Sequence, residues 1–222
     1  MLSQPLDLSV DTGPGTFGPP STNQPLQMER HHKGPGYWQV THVSHSVHTG
    51  THIDTPWHVF EDGATTSDVA LTDICGRAAL FELNKSPGEP VTEDDLGKAD
   101  PGLETGQLAV LHTGWSNDMW GTFPDYYTES PWLHESAARW LVGRQPRAVV
   151  FDFFEEYCAR KPEFTSEEFI VHRILLGAGI FLVEQGTRFN LLTGKSAFLY
   201  PAFYKLGHSD GAPARLLAIT ED

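Results

Sequence analysis

The chain of 222 residues carries 29 acidic and 15 basic side chains, a formal net charge of −14 at pH 7. This negative excess, without a compensating basic stripe, argues against nucleic-acid binding because phosphate backbones would be repelled. The length fits a single domain over residues 1–222. No long apolar run and no apolar leader segment is present, which predicts a soluble, cytoplasmic protein without membrane contact. The two cysteines, Cys75 and Cys158, are expected to be reduced thiols.

The N-terminal part of the chain predicts strands joined by loops. Residues 6–10 predict a short first strand, and the Gly-, Pro-, Ser- and Thr-rich residues 12–25 predict a loop in which Phe17 is the one large aromatic side chain. Residues 37–47 alternate imperfectly between apolar and polar side chains. They predict a strand that leads directly into the segment beginning at His48.

That next segment carries three histidines and an aspartate at offsets of zero, four, six and ten. In an extended backbone, where side chains alternate, these four residues would lie on one face. They are His48, His52, Asp54 and His58. The neighbouring glycine, threonines and Pro56 oppose a helix, so we predict an extended segment that bends at Pro56.

Histidine nitrogen and carboxylate oxygen are the donors that a borderline divalent ion such as zinc accepts. Two histidines and one carboxylate, His48, His52 and Asp54, leave a coordination position open for water, which indicates catalysis more than structural binding. The alternative is that such histidines line an ordinary surface loop, as a single His-x-x-x-His pair often does.

The middle of the chain predicts alternating strands and helices. Residues 78–83 and 108–112 predict strands, and Thr92 begins a short surface helix. A long loop then reaches Pro131, which is predicted to start a helix that is capped by Ser130 and closed by Gly143, because proline fits the first helical position and glycine the end.

The last third of the chain predicts the same alternation. Residues 148–153 predict an apolar strand that contains Asp152, and the capping box over residues 165–168 predicts a helix that holds His172 and closes at Gly177 and Gly179. Residues 180–184 predict a strand that ends on Glu184, and two closing strands follow at 197–202 and 214–219. This order indicates α/β architecture.

The string His-x-Gly-Thr-His-x-Asp-x-Pro-x-His resembles the signature of the cyclase superfamily of metal-dependent hydrolases, which includes bacterial kynurenine formamidase and isatin hydrolase. A further His and Glu, twelve residues apart around a Leu-Leu-Gly-Ala-Gly turn, are similar to His172 and Glu184 here. The runs that begin at Thr113 and at Asp210 also match. The resemblance implies a single compact β-rich α/β domain of the swivelling β/β/α type.

The resemblance also implies the chemistry of the site. One or two divalent ions, zinc or alternatively manganese, would be held by His48, His52 and Asp54, with His172 and Glu184 holding a second ion that Asp54 bridges. Such an ion lowers the pKa of water from about 15.7 toward 7 and so supplies hydroxide. We expect His58 to transfer protons, with the role of an additional ligand as the alternative. The resemblance places Phe17 in the substrate pocket, with a loop aromatic that packs onto the core as the alternative.

The expected reaction is hydrolysis of the C–N bond of a small amide, formamide or cyclic amide. A run that reads Gly-x-Asp-Thr-x-Ser-x-Asp in many relatives becomes aromatic and acidic after Asp152, which argues against N-formylkynurenine as the specific substrate. Phe153, Phe154 and Tyr157 either line a pocket for a flat ring or belong to the core. The alternative functions are lactone hydrolysis or polyketide-type cyclisation at the same site, and a metal-binding protein without catalysis.

The resemblance finally implies a homodimer or homotetramer. Six aromatic residues that are expected to be exposed either serve such contacts or cover the protein's own pocket. They are Trp115, Trp120, Phe123, Tyr126, Tyr127 and Trp132.

Overall fold

A computed structural model describes residues 4–221 of the chain. Within these residues the strands are β1 (Leu6–Asp7), β2 (Gln27–Lys33), β3 (Trp38–Ser44), β4 (His52–Asp54), β5 (Gly76–Glu82), β6 (Pro90–Val91), β7 (Leu108–His112), β8 (Trp132–Leu133), β9 (Ala148–Phe151), β10 (Phe181–Glu184), β11 (Ser196–Phe203) and β12 (Gly211–Glu221). The α-helices are α1 (Leu71–Ile74), α2 (Glu93–Ala99), α3 (Trp115–Met119), α4 (Asp125–Thr128), α5 (Glu135–Arg144) and α6 (Ile170–Gly177). Short 3₁₀ helices cover Pro56–His58, Cys158–Arg160, Ser166–Glu168 and Phe189–Leu192.

Seven of the described strands close into a barrel in the order β12, β11, β5, β7, β9, β10 and β4, because β4 pairs back with β12. The four consecutive strands β5, β7, β9 and β10 run parallel to one another, whereas the pairings that involve β4, β11 and β12 are antiparallel. β1 extends the sheet along β12. The predicted mixed α/β class is confirmed.

The central strands β7 and β9 are apolar up to His112 at the end of β7, because both of their faces are buried. Alternate residues of β7 and β9, such as Leu108 and Val150, fill the barrel interior together with Ile53 and Leu216. The intervening residues of the same strands face outward and pack against α5 and α6. Since Ile53 points into the barrel, its neighbours His52 and Asp54 on β4 point to the outer face, where the helices lie.

The loop predicted before Pro131 and the helix predicted to begin there are corrected by the structure. The interval contains α3 and α4, and Trp132–Leu133 is not helical but pairs in parallel with Pro90–Val91. Ser130 is not a cap, because its hydroxyl accepts the backbone N–H of Phe154. Helix α5 instead begins after His134, whose ring accepts the N–H of Ser136.

The end of α5 also differs from the prediction. The helix runs past Gly143 to Arg144, and Gln145 takes the left-handed conformation that closes it, with φ of 55°.

The strands predicted at 78–83, 108–112, 180–184, 197–202 and 214–219 are present near their expected positions. The first predicted strand is shorter, Leu6–Asp7, and β9 ends at Phe151, so Asp152 follows the strand instead of lying in it. Helix α2 begins after Thr92 as predicted, and the Thr92 hydroxyl accepts the N–H of Asp95.

The strand predicted over residues 37–47 is wrong in its extent and its connection. β3 ends at Ser44 and pairs with β2 in a separate two-stranded sheet, so it does not continue into the segment of His48. Nearly all residues of this hairpin are exposed, which explains why its pattern alternates only imperfectly.

Two further expectations concern the whole chain. Among residues 4–221, no helix is both long and apolar enough to cross a membrane. Cys75 and Cys158 are free thiols as predicted, the first partly buried and the second buried.

Candidate metal centre and adjoining cavity

The segment predicted to be extended from His48 onward is extended only over β4. Residues before β4 form a turn, and Gly50 adopts a left-handed conformation with φ of 74°. The predicted bend at Pro56 is present, because a 3₁₀ helix begins there and carries His58. The four side chains nevertheless meet, since the turn folds His48 back over β4.

The first candidate ligand group is formed by His48, His52 and Asp54. Oδ1 of Asp54 lies 2.7 Å from Nδ1 of His48 and 3.3 Å from Nε2 of His52. Nδ1 of His52 lies 2.7 Å from the carbonyl oxygen of Gly50 and donates to it, which leaves Nε2 directed at the carboxylates. The backbone turn therefore fixes which nitrogen of His52 faces the site.

The second candidate group joins Asp54 to His172 and Glu184. Nε2 of His172 lies 3.4 Å from Oδ2 of Asp54 and 3.1 Å from Oε1 of Glu184. His172 is carried by α6, which begins at Ile170 rather than at the predicted capping box, since that box caps a separate 3₁₀ helix. Thus Oδ1 of Asp54 faces the first group and Oδ2 faces the second.

Two orphaned oxygens test whether these residues fit a cation. Oδ2 of Asp54 and Oε1 of Glu184 are buried and accept no hydrogen bond of normal geometry from the described residues. A buried oxygen that accepts no hydrogen bond costs about 1–3 kcal/mol, which a bound cation would offset. Imidazole nitrogens with carboxylate oxygens are a donor set that zinc and similar divalent ions accept. The residues therefore fit a divalent metal ion.

The pKa values reflect this concentration of carboxylates. Burial disfavours a charged His48, but Asp54 and Asp210 outweigh it and raise the pKa of His48 to about 10. Burial likewise opposes the charge of His172, while Asp54, Glu156 and Glu184 raise its pKa. The site therefore attracts positive charge strongly.

Asp210 connects His48 with His58. Its Oδ2 lies 2.8 Å from Nε2 of His48 and 3.2 Å from Nδ1 of His58. Burial lowers the pKa of His58 despite the bond to Asp210, so this ring stays neutral more readily than its neighbours. The sequence alone does not indicate this role for Asp210, because its proximity to the histidines arises only when β12 pairs with β4.

Gly211, which follows Asp210, allows this approach. A Cβ atom at this position would lie 2.6 Å from the carbonyl oxygen of Ile53 and 2.8 Å from Cε1 of His48. Any larger residue would therefore displace the backbone of β4 or the ring of His48.

A cavity of about 540 Å³ adjoins both ligand groups. Five aromatic side chains contribute to its lining: Trp57, Phe60, Phe154, Phe164 and Phe169. Phe17 is not in the lining, and its ring lies 6.4 Å, centroid to centroid, from that of Phe123. The loop that contains Phe17 instead contributes Pro19, Ser21 and Thr22.

The aromatic residues after Asp152 divide between the two interpretations left open by the sequence. Phe153 belongs to the core and Phe154 lines the cavity, whereas Tyr157 is half exposed. Asp152 itself is buried and accepts the backbone N–H groups of Thr113 and Gly114. Its role in the structure is to hold that loop.

The six aromatic residues expected to be exposed are mostly packed inside the protein. Trp115, Tyr126 and Tyr127 are buried, and Trp120 and Phe123 pack against the same core. The expectation of exposure is therefore wrong for this cluster, because α3 and α4 fold these rings inward.

Glu155 and Glu156 are two further acidic residues near the site whose role the sequence does not indicate. Both are buried beside His172, with Oε2 of Glu156 lying 3.1 Å from Nδ1 of His172. In the sequence, these two glutamates stand out only because they replace polar residues of the relatives' pattern. That replacement does not show that α6 packs against them.

Two histidine and carboxylate groups that share Asp54 lie beside an aromatic-lined cavity, an arrangement typical of a metal-dependent enzyme that acts on a small molecule. The model of the cyclase family, described as "Putative cyclase", matches residues 2–155. The chain therefore belongs to the cyclase family of metal-dependent hydrolases.

Individual relatives can be aligned with nearly the whole chain. Kynurenine formamidase from Bacillus mycoides is 25% identical over 214 residues, 96% of this chain and 93% of its own. A solved structure described as a predicted metal-dependent hydrolase from Bacillus stearothermophilus is 30% identical, with a TM-score of 0.74 and coverage of 97% and 98%. An isatin hydrolase bound to thioisatinate shares the fold with a TM-score of 0.85 at 17% identity, covering 99% of this chain and 93% of its own.

Proposed function

We propose that this protein hydrolyses the C–N bond of a small amide, formamide or cyclic amide. The observation that carries the proposal is the position of Asp54, a buried carboxylate that faces a histidine group on each side at the end of an aromatic-lined cavity. The curated relatives named kynurenine formamidase support the same class of reaction.

The residues that would hold the metal follow from the two groups. His48, His52 and Asp54 would bind one divalent ion, zinc or manganese, and Asp54, His172 and Glu184 would bind a second. A divalent ion in such a site supplies Lewis acidity, which lowers the pKa of water and polarises a carbonyl oxygen. The protein's part is to hold the donors in place and to keep their lone pairs directed inward.

His58 is the residue proposed to move protons. It lines the cavity, and its Nδ1–H donates to Asp210, so Nε2 carries the free lone pair. Nε2 can therefore accept a proton from the attacking water and return it to the leaving nitrogen. In the competing arrangement, His58 would be an additional ligand together with His48 and Asp210.

The cavity supports a small substrate with a flat, apolar part. Its aromatic lining favours a ring, and its volume suits a single small molecule. Phe154, in the run that departs from the relatives' pattern, lines this cavity and supports a substrate other than N-formylkynurenine. Lactone hydrolysis at the same site is the second candidate, since the same groups would serve a C–O bond.

The test combines metal analysis with a substrate panel. Protein purified without added metal is analysed for zinc and manganese, then assayed on a formanilide, an isatin-like lactam and a simple lactone, each with and without chelator. We expect about one or two equivalents of metal and chelator-sensitive cleavage of a C–N substrate. Turnover of the lactone alone would favour the second candidate, and the absence of metal binding after reconstitution would refute the proposal. Asp54→Ala is the inactive control. Asp62→Ala, the same change at an exposed position, is the matched control.

We also propose that the protein forms a homo-oligomer through the β2–β3 hairpin. Trp38 and Val43 on this hairpin are 51% and 50% exposed, and within the described residues its strands pair only with each other. An isolated two-stranded hairpin is only marginally stable in water, so contact with a second copy would stabilise it. Its cations Arg30 and Lys33 would suit the acidic surface of that copy.

Light scattering measures the molar mass of the protein as it elutes from a size-exclusion column and so tests the association. A dimer or tetramer is expected for the wild type, with dissociation in Trp38→Ala and none in Leu71→Ala, a control at another exposed apolar residue elsewhere on the surface. A monomeric wild type would contradict the proposal.

A further inference from the structure

Glu156 makes an unusual set of contacts at the start of α6. The residue is almost fully buried, at 2% exposure, although it carries a carboxylate. One oxygen, Oε2, lies 2.9 Å from the backbone nitrogen of Val171, 3.2 Å from that of His172 and 3.1 Å from Nδ1 of the His172 ring. The same atom therefore binds the first turn of the helix and the ring that the helix carries.

This contact decides which nitrogen of His172 faces the candidate metal centre. With Nδ1–H donating to Glu156, Nε2 lies toward Asp54 and Glu184, 3.4 and 3.1 Å away. The opposite tautomer would aim an unprotonated Nδ1 at the Glu156 carboxylate, so the two lone pairs would repel each other.

The ring is also fixed in orientation. Phe169 stacks on His172 with ring centroids 4.0 Å apart and an interplanar angle of 18°. Stacking alone would allow the ring to flip by half a turn about its Cβ–Cγ bond, because both faces of the imidazole are similar and the flipped ring would stack equally well. The hydrogen bond to Glu156 removes that freedom.

The adjacent Glu155 does not share this role. It is fully buried, but its Oε1 lies 3.7 Å from Nδ1 of His172, and neither of its oxygens accepts a hydrogen bond from the described residues. Of the two carboxylates that lie near Nδ1 of His172, Glu156 is thus the one whose geometry can set the tautomer.

We propose that Glu156 is a positioning residue of the metal centre, holding His172 as the Nδ1–H tautomer so that Nε2 completes the ligand group with Asp54 and Glu184. A carboxylate behind a ligand histidine also makes that histidine more basic and orders it before the metal binds. The inference rests on the proposed metal site, and it assigns to Glu156 a part of the metal affinity without direct contact with the ion.

The first test compares Glu156→Gln with the wild type and with Glu163→Gln, the same change at an exposed position. Glutamine fills the same space, but its amide group can donate to Nδ1 and so permits the other tautomer. We expect zinc affinity, measured by competition with a chromogenic chelator, to fall about 10–100-fold for one equivalent, with little change in Glu163→Gln. Equal affinities in all three proteins would overturn the inference.

A second measurement does not depend on any variant folding correctly. Nitrogen NMR of the zinc-loaded wild type, labelled at histidine, is expected to show a protonated Nδ1 and a coordinated Nε2 at His172. Coordination through Nδ1 would overturn the inference even if the metal is bound. A wild type that binds no zinc would overturn the proposed function together with the inference, so the two failures are distinguishable.

Discussion

Glu184 lies directly opposite His52 in the antiparallel pairing of β10 with β4, and its Oε2 is 3.6 Å from Nε2 of His52. The strand register therefore joins the two candidate ligand groups. Since side chains alternate between the faces of a sheet, a slip of one residue would turn Glu184 into the barrel interior. The same pairing fixes the position of Asp54, which lies opposite Leu182.

Removal of Asp54 should abolish metal binding. It is the only residue shared by the groups of His52 and His172, and each of its oxygens faces one of them. We expect Asp54→Ala to lose both equivalents of metal in elemental analysis, and His52→Ala to lose at least one. Normal metal content in Asp54→Ala would show that the ion binds elsewhere.

Removal of His58 should separate catalysis from metal binding. Because His58 is proposed to move protons rather than to bind the ion, His58→Ala is expected to keep its metal while turnover falls about 10²–10⁴-fold. Metal content and the rate are measured on the same preparation. Unchanged turnover would remove His58 from the mechanism, whereas loss of metal would identify it as a ligand.

A methyl group added at Gly211 should weaken metal binding, although Gly211 is not a candidate ligand. The added Cβ would lie 2.8 Å from Cε1 of His48 and 3.3 Å from Oδ1 of Asp54. Gly211→Ala is therefore expected to weaken metal binding at least tenfold, by about 1.4 kcal/mol or more, as measured by chelator competition. Gly97→Ala, at a position with open space, is the matched control. Similar metal affinity in both variants would mean that β4 shifts without strain.

A pH-dependent contribution to stability is expected at Asp95, away from the site. Burial raises the pKa of this carboxyl, but the salt bridge with Lys85 and the hydrogen bonds from Thr92 outweigh it and lower the pKa to about 2. A carboxyl with a lowered pKa in the folded state stabilises the protein above its unfolded pKa, here 3.8, and loses that effect as the pH falls toward 2.

Asp95→Asn should therefore lower the free energy of unfolding by up to about 2 kcal/mol at pH 7. The difference from the wild type is expected to stay constant down to about pH 4 and then to shrink. Urea unfolding at pH 7, 5 and 3.5 measures it, with the exposed Asp94→Asn as the control. A difference that is independent of pH over this range would contradict the assignment to ionisation.

Local patterns determined much of this protein. The spacing of His48, His52, Asp54 and His58 predicted a histidine and carboxylate site, and the structure brings these side chains together although only β4 is extended. The apolar runs of β7 and β9 predicted buried strands because burial on both faces leaves no polar alternation. Such features can be predicted from the sequence because residues that are close along the chain produce them.

Features that depend on which distant segments meet were decided by the tertiary structure alone. Asp210 and Glu156 reach the histidines only through the pairing of β12 with β4 and the packing of α6. Phe17 lies against Phe123 rather than in the cavity, and Ser130 binds Phe154 instead of capping a helix. In each case the local sequence allowed more than one partner, and the packing of segments that are distant in the chain selected one of them.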